Sequence, residues 1–252
     1  MSQNCTAWII TARTKSFIIG EAPLYKPRKG EILIRNHAVA VISDCFNMLF
    51  NLIGLYLNTF SFILGRDAAG MVVDINKDVT QFHRDQRVIR HLYSSKSGNS
   101  IYTAYQLFFL ASQTLAVSIL FYISFEQGAV LLLAISTSAA DLYLLEYLNL
   151  LLPSDTPKSL EKILLVWSST SSIGAIVIQL AIIFGLYVIT TVSHANYEFV
   201  RSLGAADIFD YQSPTVIIDI VMRLRHMDLC NVYNTISKNK NFIQLAAIAQ
   251  RL

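Results

Sequence analysis

Residues 168–174 read Ser-Ser-Thr-Ser-Ser-Ile-Gly, a run of small hydroxylated side chains closed by Gly174. The chemistry such a run offers is anion binding, because small residues let a pyrophosphate approach the backbone and bulky ones prevent it. An apolar stretch, 163–167, precedes it and has the length and composition of a buried parallel strand. Residues 176–184 follow, apolar nearly all round, and predict a helix packed against a sheet and stopped by Gly185. A helix starting near Ile173 turns free backbone N–H groups and the positive end of its dipole toward whatever lies beyond the first strand. Residues 187–192, rich in β-branched side chains, predict the next strand. Strand, small-residue turn, helix, strand is a βαβ unit. A further repeat follows: a helix over 197–203, Gly204, and a short strand at Ile208 and Phe209. Of the glycines in a dinucleotide fingerprint only Gly174 is present, so spacing alone leaves open an α/β turn that binds nothing.

The end of the second strand carries more information. A carboxylate there would accept hydrogen bonds from the ribose hydroxyls of NAD. Here the strand runs into Ser193, His194, Ala195 and Asn196, with no acid. Hydroxyl, imidazole and amide groups tolerate or donate to a 2′-phosphate, so a bound nucleotide is expected to be NADP(H).

LLVWSSTSSIGAIVIQLA, followed by ITTVSHANYEFVRSLGAADIFDYQSP, resembles the medium-chain dehydrogenase/reductases. The branch it is most similar to is that of the zinc-independent enoyl and quinone reductases, including trans-acting enoyl reductases. The likeness extends along the chain. PLYKPRKGEILIRNHAVAVISDC resembles the opening of a GroES-like barrel, with strands expected over 7–19 and 31–41 around a turn-rich 23–29 segment. In that family the segment around Asp44 approaches the nicotinamide, although Val41, Ile42 and Cys45 replace usual residues; a plain turn residue is the alternative for Asp44. LGRDAAGMVVDINKDVTQF and SFEQGAVLLLAISTSAADLY are the other strong matches. The second starts a helix at Phe125-Glu126-Gln127. By resemblance, Ile135 and Ser136 lie where cofactor and substrate meet, and Thr137 reaches a phosphate or the nicotinamide amide. A helical hydroxyl bonded to a backbone carbonyl is the alternative for Thr137. Leu132 and Asp141 stand at usual proline and glycine positions.

The resemblance implies an α/β protein with an all-β part: a GroES-like barrel over 1–123, a linking helix and linker over 124–157, and a partial Rossmann domain over 158–252. The expected cofactor is NADPH. Thr170, Ser171, Ser172, Ile173 and Gly174 are expected at its pyrophosphate, Ser193 and Asn196 at the adenosine phosphate, and Tyr211 near the adenine. The expected reaction is hydride transfer to a small-molecule or carrier-bound enoyl, or a quinone-like acceptor. No residue presents itself as an obligatory general acid; water or a backbone group is expected to donate the proton.

Metal is not expected. Zinc-dependent relatives place a His–Glu pair after the glycine matching Gly65, where this chain has Arg66–Asp67. Three protein ligands for catalytic zinc do not assemble from the sequence. Cys5, Cys45 and Cys230 are too scattered for a disulfide framework and imply a reducing, cytoplasmic compartment. No secretory signal is evident at the N-terminus. A net charge of +3 without a basic stripe argues against nucleic acid.

At 54% hydrophobic and only 15% charged residues, the chain is apolar enough for a membrane to be weighed. Residues 46–64 are uncharged and long enough to cross a bilayer, but Asn47, Asn51 and Asn58 argue against it. Residues 97–125 are also uncharged; Ser112, Gln113, Thr114 and Ser118 interrupt them, and low solubility is the plainer consequence. Asp85–Gln86 replaces a Gly-Asp turn, which predicts strain in a hairpin. A helix over 214–225 and a strand over 229–236 are expected before the chain ends at Leu252, whereas a complete doubly wound sheet continues for on the order of a hundred residues more. The alternative readings are a shortened, degenerate relative without catalytic activity, and a membrane-associated protein.

Overall fold

The computed structural model describes residues 4–9, 17–41, 61–91, 99–150, 159–236 and 238–251. The chain divides into two compact units, Met1–Leu133 and Ala134–Leu252. Asp44, residues 46–60 and the 153–157 segment lie outside the described residues.

The first unit is built from two antiparallel sheets. Strands β1 (Asn4–Ile9), β2 (Ile18–Ala22) and β4 (Phe62–Ile63) form one, in the order β2-β1-β4. The other runs β7-β3-β5-β6-β8, from β3 (Glu31–Val39), β5 (Asp67–Ile75), β6 (Arg87–His91), β7 (Phe108–Ser112) and β8 (Ala116–Ser118). Its core gathers Ile32, Ile34, Val72, Val88 and Phe109, all essentially inaccessible to water. Burial on this scale stabilises by roughly 1.5–3 kcal/mol per large side chain. Gly70 is required where β3 and β5 shift register: a Cβ there would lie 2.2 Å from the Arg35 carbonyl oxygen. The strain expected at the Asp85–Gln86 hairpin is visible as Asp85 at φ 65°, a left-handed conformation that disfavours side chains other than glycine. A short helix, α1 (Phe125–Ala129), closes the unit behind a reciprocal capping box between Ser124 and Gln127.

The second unit is a parallel sheet in the order β11-β10-β9-β12, from β9 (Lys162–Trp167), β10 (Tyr187–Val192), β11 (Asp207–Asp210) and β12 (Asp228–Asn234). Its helices are α2 (Leu132–Tyr143, which begins in the first unit), α3 (Ser172–Phe184), α4 (Tyr197–Ser202), α5 (Val216–Leu224) and α6 (Asn239–Ala249). Alternation along β9 sorts them. Leu164 and Val166 face Val177, Ile178 and Ala181 of α3, with Leu142 and Val200. Ile163, Leu165 and Trp167 face Val216, Ile220 and Leu224 of α5 and Ile248 of α6. A sheet covered on both faces explains why β9 reads as continuously apolar. Gly185, at φ 97°, caps α3 as the sequence predicts.

Each predicted element of this half is present, with ends shifted by a few residues. The helix expected over 214–225 is Val216–Leu224, and the strand expected over 229–236 is Asp228–Asn234. Among the described residues, no helix is long and apolar enough to cross a membrane.

Candidate nucleotide site

The chain passes from β9 to β10 to β11 in one direction, then returns to place β12 on the other side of β9. The reversal makes the carboxyl ends of β9 and β12 a topological switch point, where open α/β sheets bind ligands. A cavity of about 240 Å³ lies there. Ser168 and Thr170 line it from the β9 turn, Val192 and Tyr211 from the ends of β10 and β11, and Lys238, Lys240 and Asn241 from the segment after β12.

The turn after β9 is held from several directions. Ser168 stands at φ 64°, a left-handed conformation, and donates its N–H to Thr191 Oγ1 at 3.2 Å. Its carbonyl accepts from the Thr235 hydroxyl at 2.5 Å, so the residue that follows β12 fixes the turn that follows β9. Asn241, 9% exposed, ties the next loop back through its amide nitrogen to the Ile236 carbonyl at 2.8 Å. Ser169 is fully buried, and its hydroxyl has no partner among the described residues.

Ser171 is the N-cap of α3, its hydroxyl accepting from the Gly174 N–H at 3.0 Å. This cap leaves the N–H groups of Thr170, Ser172 and Ile173 without a partner among the described residues. Those donors, at the positive end of a 13-residue helix, are the groups that can hold a phosphate. Gly174 has a different part: a Cβ there would sit 2.6 Å from Ser169 Cα and 2.7 Å from its carbonyl oxygen. The missing side chain lets helix and strand close together, the packing role of a fingerprint glycine.

The other expected residues fall into two groups. Tyr211, 38% exposed, lines the cavity and accepts from Gln212 Nε2 at 3.2 Å. Ser193 and Asn196 do not line it; the Asn196 amide donates to the Ser193 hydroxyl at 2.8 Å. On α2, Ile135 and Thr137 are half-buried and Ser136 is exposed, and none of them lines the cavity. The helix hydroxyl that reaches the turn is their neighbour Ser138, which donates to the Ile173 carbonyl at 3.3 Å. Ser138, Lys238 and Lys240 are residues the sequence reading missed. Ser138 carried a signal, since it lies four residues before the buried Leu142 on one helix face. The lysines carried none, because only the fold brings them to the Ser168 turn.

In the first unit, Asp67 is buried, with one carboxylate oxygen 2.7 Å from His91 Nδ1 and the other accepting the Leu133 N–H at 2.9 Å. The acid at the zinc-pair position is therefore engaged within its own unit. Among the described residues no three His, Cys, Asp or Glu side chains come together to hold a metal ion. A larger cavity, about 470 Å³, also opens in this unit among Ile19, Ala38, Val39, Ala104 and Leu107. No described residue expected at the site lines it, so the switch-point cavity is the better candidate despite its smaller volume.

Comparison with known proteins agrees with this architecture. Residues 28–117 match the alcohol dehydrogenase GroES-like domain. The chain is 35% identical over 216 residues to the dehydrogenase azaJ of Aspergillus niger, covering 85% of this chain and 62% of that protein. It is 38% identical over 218 residues to the trans-enoyl reductase himH of Aspergillus japonicus, covering 85% and 61%. Among solved structures, the CurK enoyl reductase superposes with a TM-score of 0.78 at 21% identity, over 98% of this chain and 71% of that one. Residues 28–117 thus match a GroES-like domain, and the chain is similar to medium-chain dehydrogenase/reductases in sequence and fold. It spans a little under two thirds of the length of the two Aspergillus relatives.

Proposed function

We propose that this protein is an NADPH-dependent oxidoreductase that acts without zinc, in the cytoplasm, on an enoyl or quinone-like acceptor, small or carrier-bound. In this reading residues 1–123 are the catalytic barrel and 158–252 the nucleotide domain. The observation that carries it is the switch-point cavity, lined by Thr170 of the turn that leads into α3 and by two lysines, with no acidic residue among the described residues lining it; the N–H groups of Thr170, Ser172 and Ile173 have no partner among the described residues. The relatives' names, dehydrogenase and trans-enoyl reductase, support the reaction class. A Escherichia coli quinone oxidoreductase whose structure is titled as complexed with NADPH shares the fold, with a TM-score of 0.75 at 18% identity over 98% of this chain and 70% of that one.

The residues present fit a dinucleotide. Thr170, Ser172 and Ile173 would hold the pyrophosphate through their N–H groups, Ser171 and Gly174 would shape that turn, and Tyr211 would flank the adenine. The cavity is below the roughly 300–1,000 Å³ of sites that enclose a drug-sized ligand, so it suits one end of the dinucleotide. NADPH held there would supply the hydride for reducing such an acceptor. Asp44, outside the described residues, and Ile135, Ser136 and Thr137 remain the candidates for the nicotinamide and substrate side. The proton that completes the reduction would come from water or a backbone group.

Thermal unfolding with NADPH and NADH in parallel tests the reading. A ligand bound only to the folded protein adds about 2.7 kcal/mol at a hundredfold excess over its Kd. A larger shift with NADPH than with NADH is expected. A cooperative transition that neither nucleotide moves would favour a degenerate relative, a reading that the strained Ser168 turn also suits.

A further inference from the structure

We infer that Lys238 and Lys240 read the 2′-phosphate of NADP(H), an inference that rests on the nucleotide reading of the switch-point cavity. Sequence order points to the end of β10 for this task, but the groups there are turned to other work. Ser193 and Asn196 hydrogen-bond each other, Ala195 carries no charge, and none of the three lines the cavity. The cavity instead has Tyr211 from the β11 end, Lys238 from the N-cap of α6 and Lys240 from its first turn. Neither lysine has an ion pair among the described residues. Lys238 is also the N-cap residue of α6 and makes no side-chain cap bond, so the positive end of an 11-residue helix adds to the two ammonium groups. With no acid among the described lining residues, no carboxylate there repels a phosphate dianion or accepts from a free 2′-hydroxyl. An adenosine bearing a 2′-phosphate satisfies this charge, whereas one without it leaves two cations unmatched.

The pyrophosphate is the other phosphate source in the same molecule, and the experiment separates the two. Kd values for NADPH, NADH, 2′,5′-ADP and 5′-AMP are measured by fluorescence or calorimetric titration on the wild-type chain, on Lys238→Gln/Lys240→Gln and on Lys238→Arg/Lys240→Arg. The Gln variant is expected to weaken NADPH and 2′,5′-ADP on the order of tenfold per lysine. It should leave NADH and 5′-AMP unchanged, and the Arg variant should keep most of the preference. Equal loss for all four ligands would place the lysines on a shared phosphate and overturn the assignment, as would an unchanged NADPH affinity. A cooperatively folded wild-type chain that binds none of the four would overturn the nucleotide reading itself, and this inference with it.

Discussion

The Tyr233 hydroxyl donates to the Asp141 carboxylate, tying β12 to α2 inside the second unit. Burial first, and then the hydrogen bond to Asp141, pushes the Tyr233 phenol above its ordinary value of 10.0. A raised folded value means that the contribution is complete below pH 10 and is lost as pH rises beyond it toward the folded value. Tyr233→Phe is expected to cost about 1.5 kcal/mol at neutral pH. It should also flatten part of the fall in stability at alkaline pH, with the residue due to Tyr102, Tyr143 and Tyr197, which are shifted in the same direction. Urea midpoints between pH 8 and pH 11 measure both effects.

Gly174→Ala inserts a methyl group against the Ser169 backbone at 2.6–2.8 Å. Backbone on both sides leaves nothing flexible to yield, and overpacking of this kind costs about 1–3 kcal/mol. The loss should appear in chemical denaturation without nucleotide, because the contact is one of packing. An effect seen only when nucleotide is present would show that Gly174 acts on the ligand instead.

Two substitutions should stabilise. Asp85→Gly relieves a left-handed backbone at φ 65° and is expected to gain about 1 kcal/mol. Ser169→Ala removes a fully buried hydroxyl that has no partner among the described residues, for a gain of about 1 kcal/mol. Thermal midpoints of the two single variants and the double variant check both values. The sites lie in different units, so the gains should add.

Asp67→Ala removes two acceptors at once, one facing His91 Nδ1 and one facing the Leu133 N–H, from a residue 1% exposed. A loss of about 3 kcal/mol is expected. Asp67→Asn, which keeps one oxygen acceptor, should lose about half as much. Comparing the two in denaturant titrations isolates the contribution of the second oxygen.

The second unit was legible in the sequence because its signals are local. The apolar run ending at Trp167, the β-branched run before Ser193, and the helix stops at Gly185 and Gly204 each act within a few residues. Glycine at φ 97° and 102° is what such stops require. What stayed hidden depends on chain segments that meet only after folding. Thr235 bonding the Ser168 carbonyl, Ser138 bonding the Ile173 carbonyl, and the lysines lining one cavity with Tyr211 join residues far apart in sequence. Ser193 and Asn196 show the reverse case: their types suited a phosphate, but their spacing of three also suits a hydrogen bond to each other.

The pairing of β9 with β12 joins Lys162 to Asp228 across two intervening strands, and the cavity exists only once that closure is complete. Contacts of such long sequence separation form late, because the entropy of closing the loop is lost before the pairing rewards it. A nucleotide therefore has nothing to grip on an unfolded or half-folded chain. Its influence should fall on the rate at which the closed sheet reopens, lengthening the lifetime of the native state while leaving the speed of folding almost unchanged.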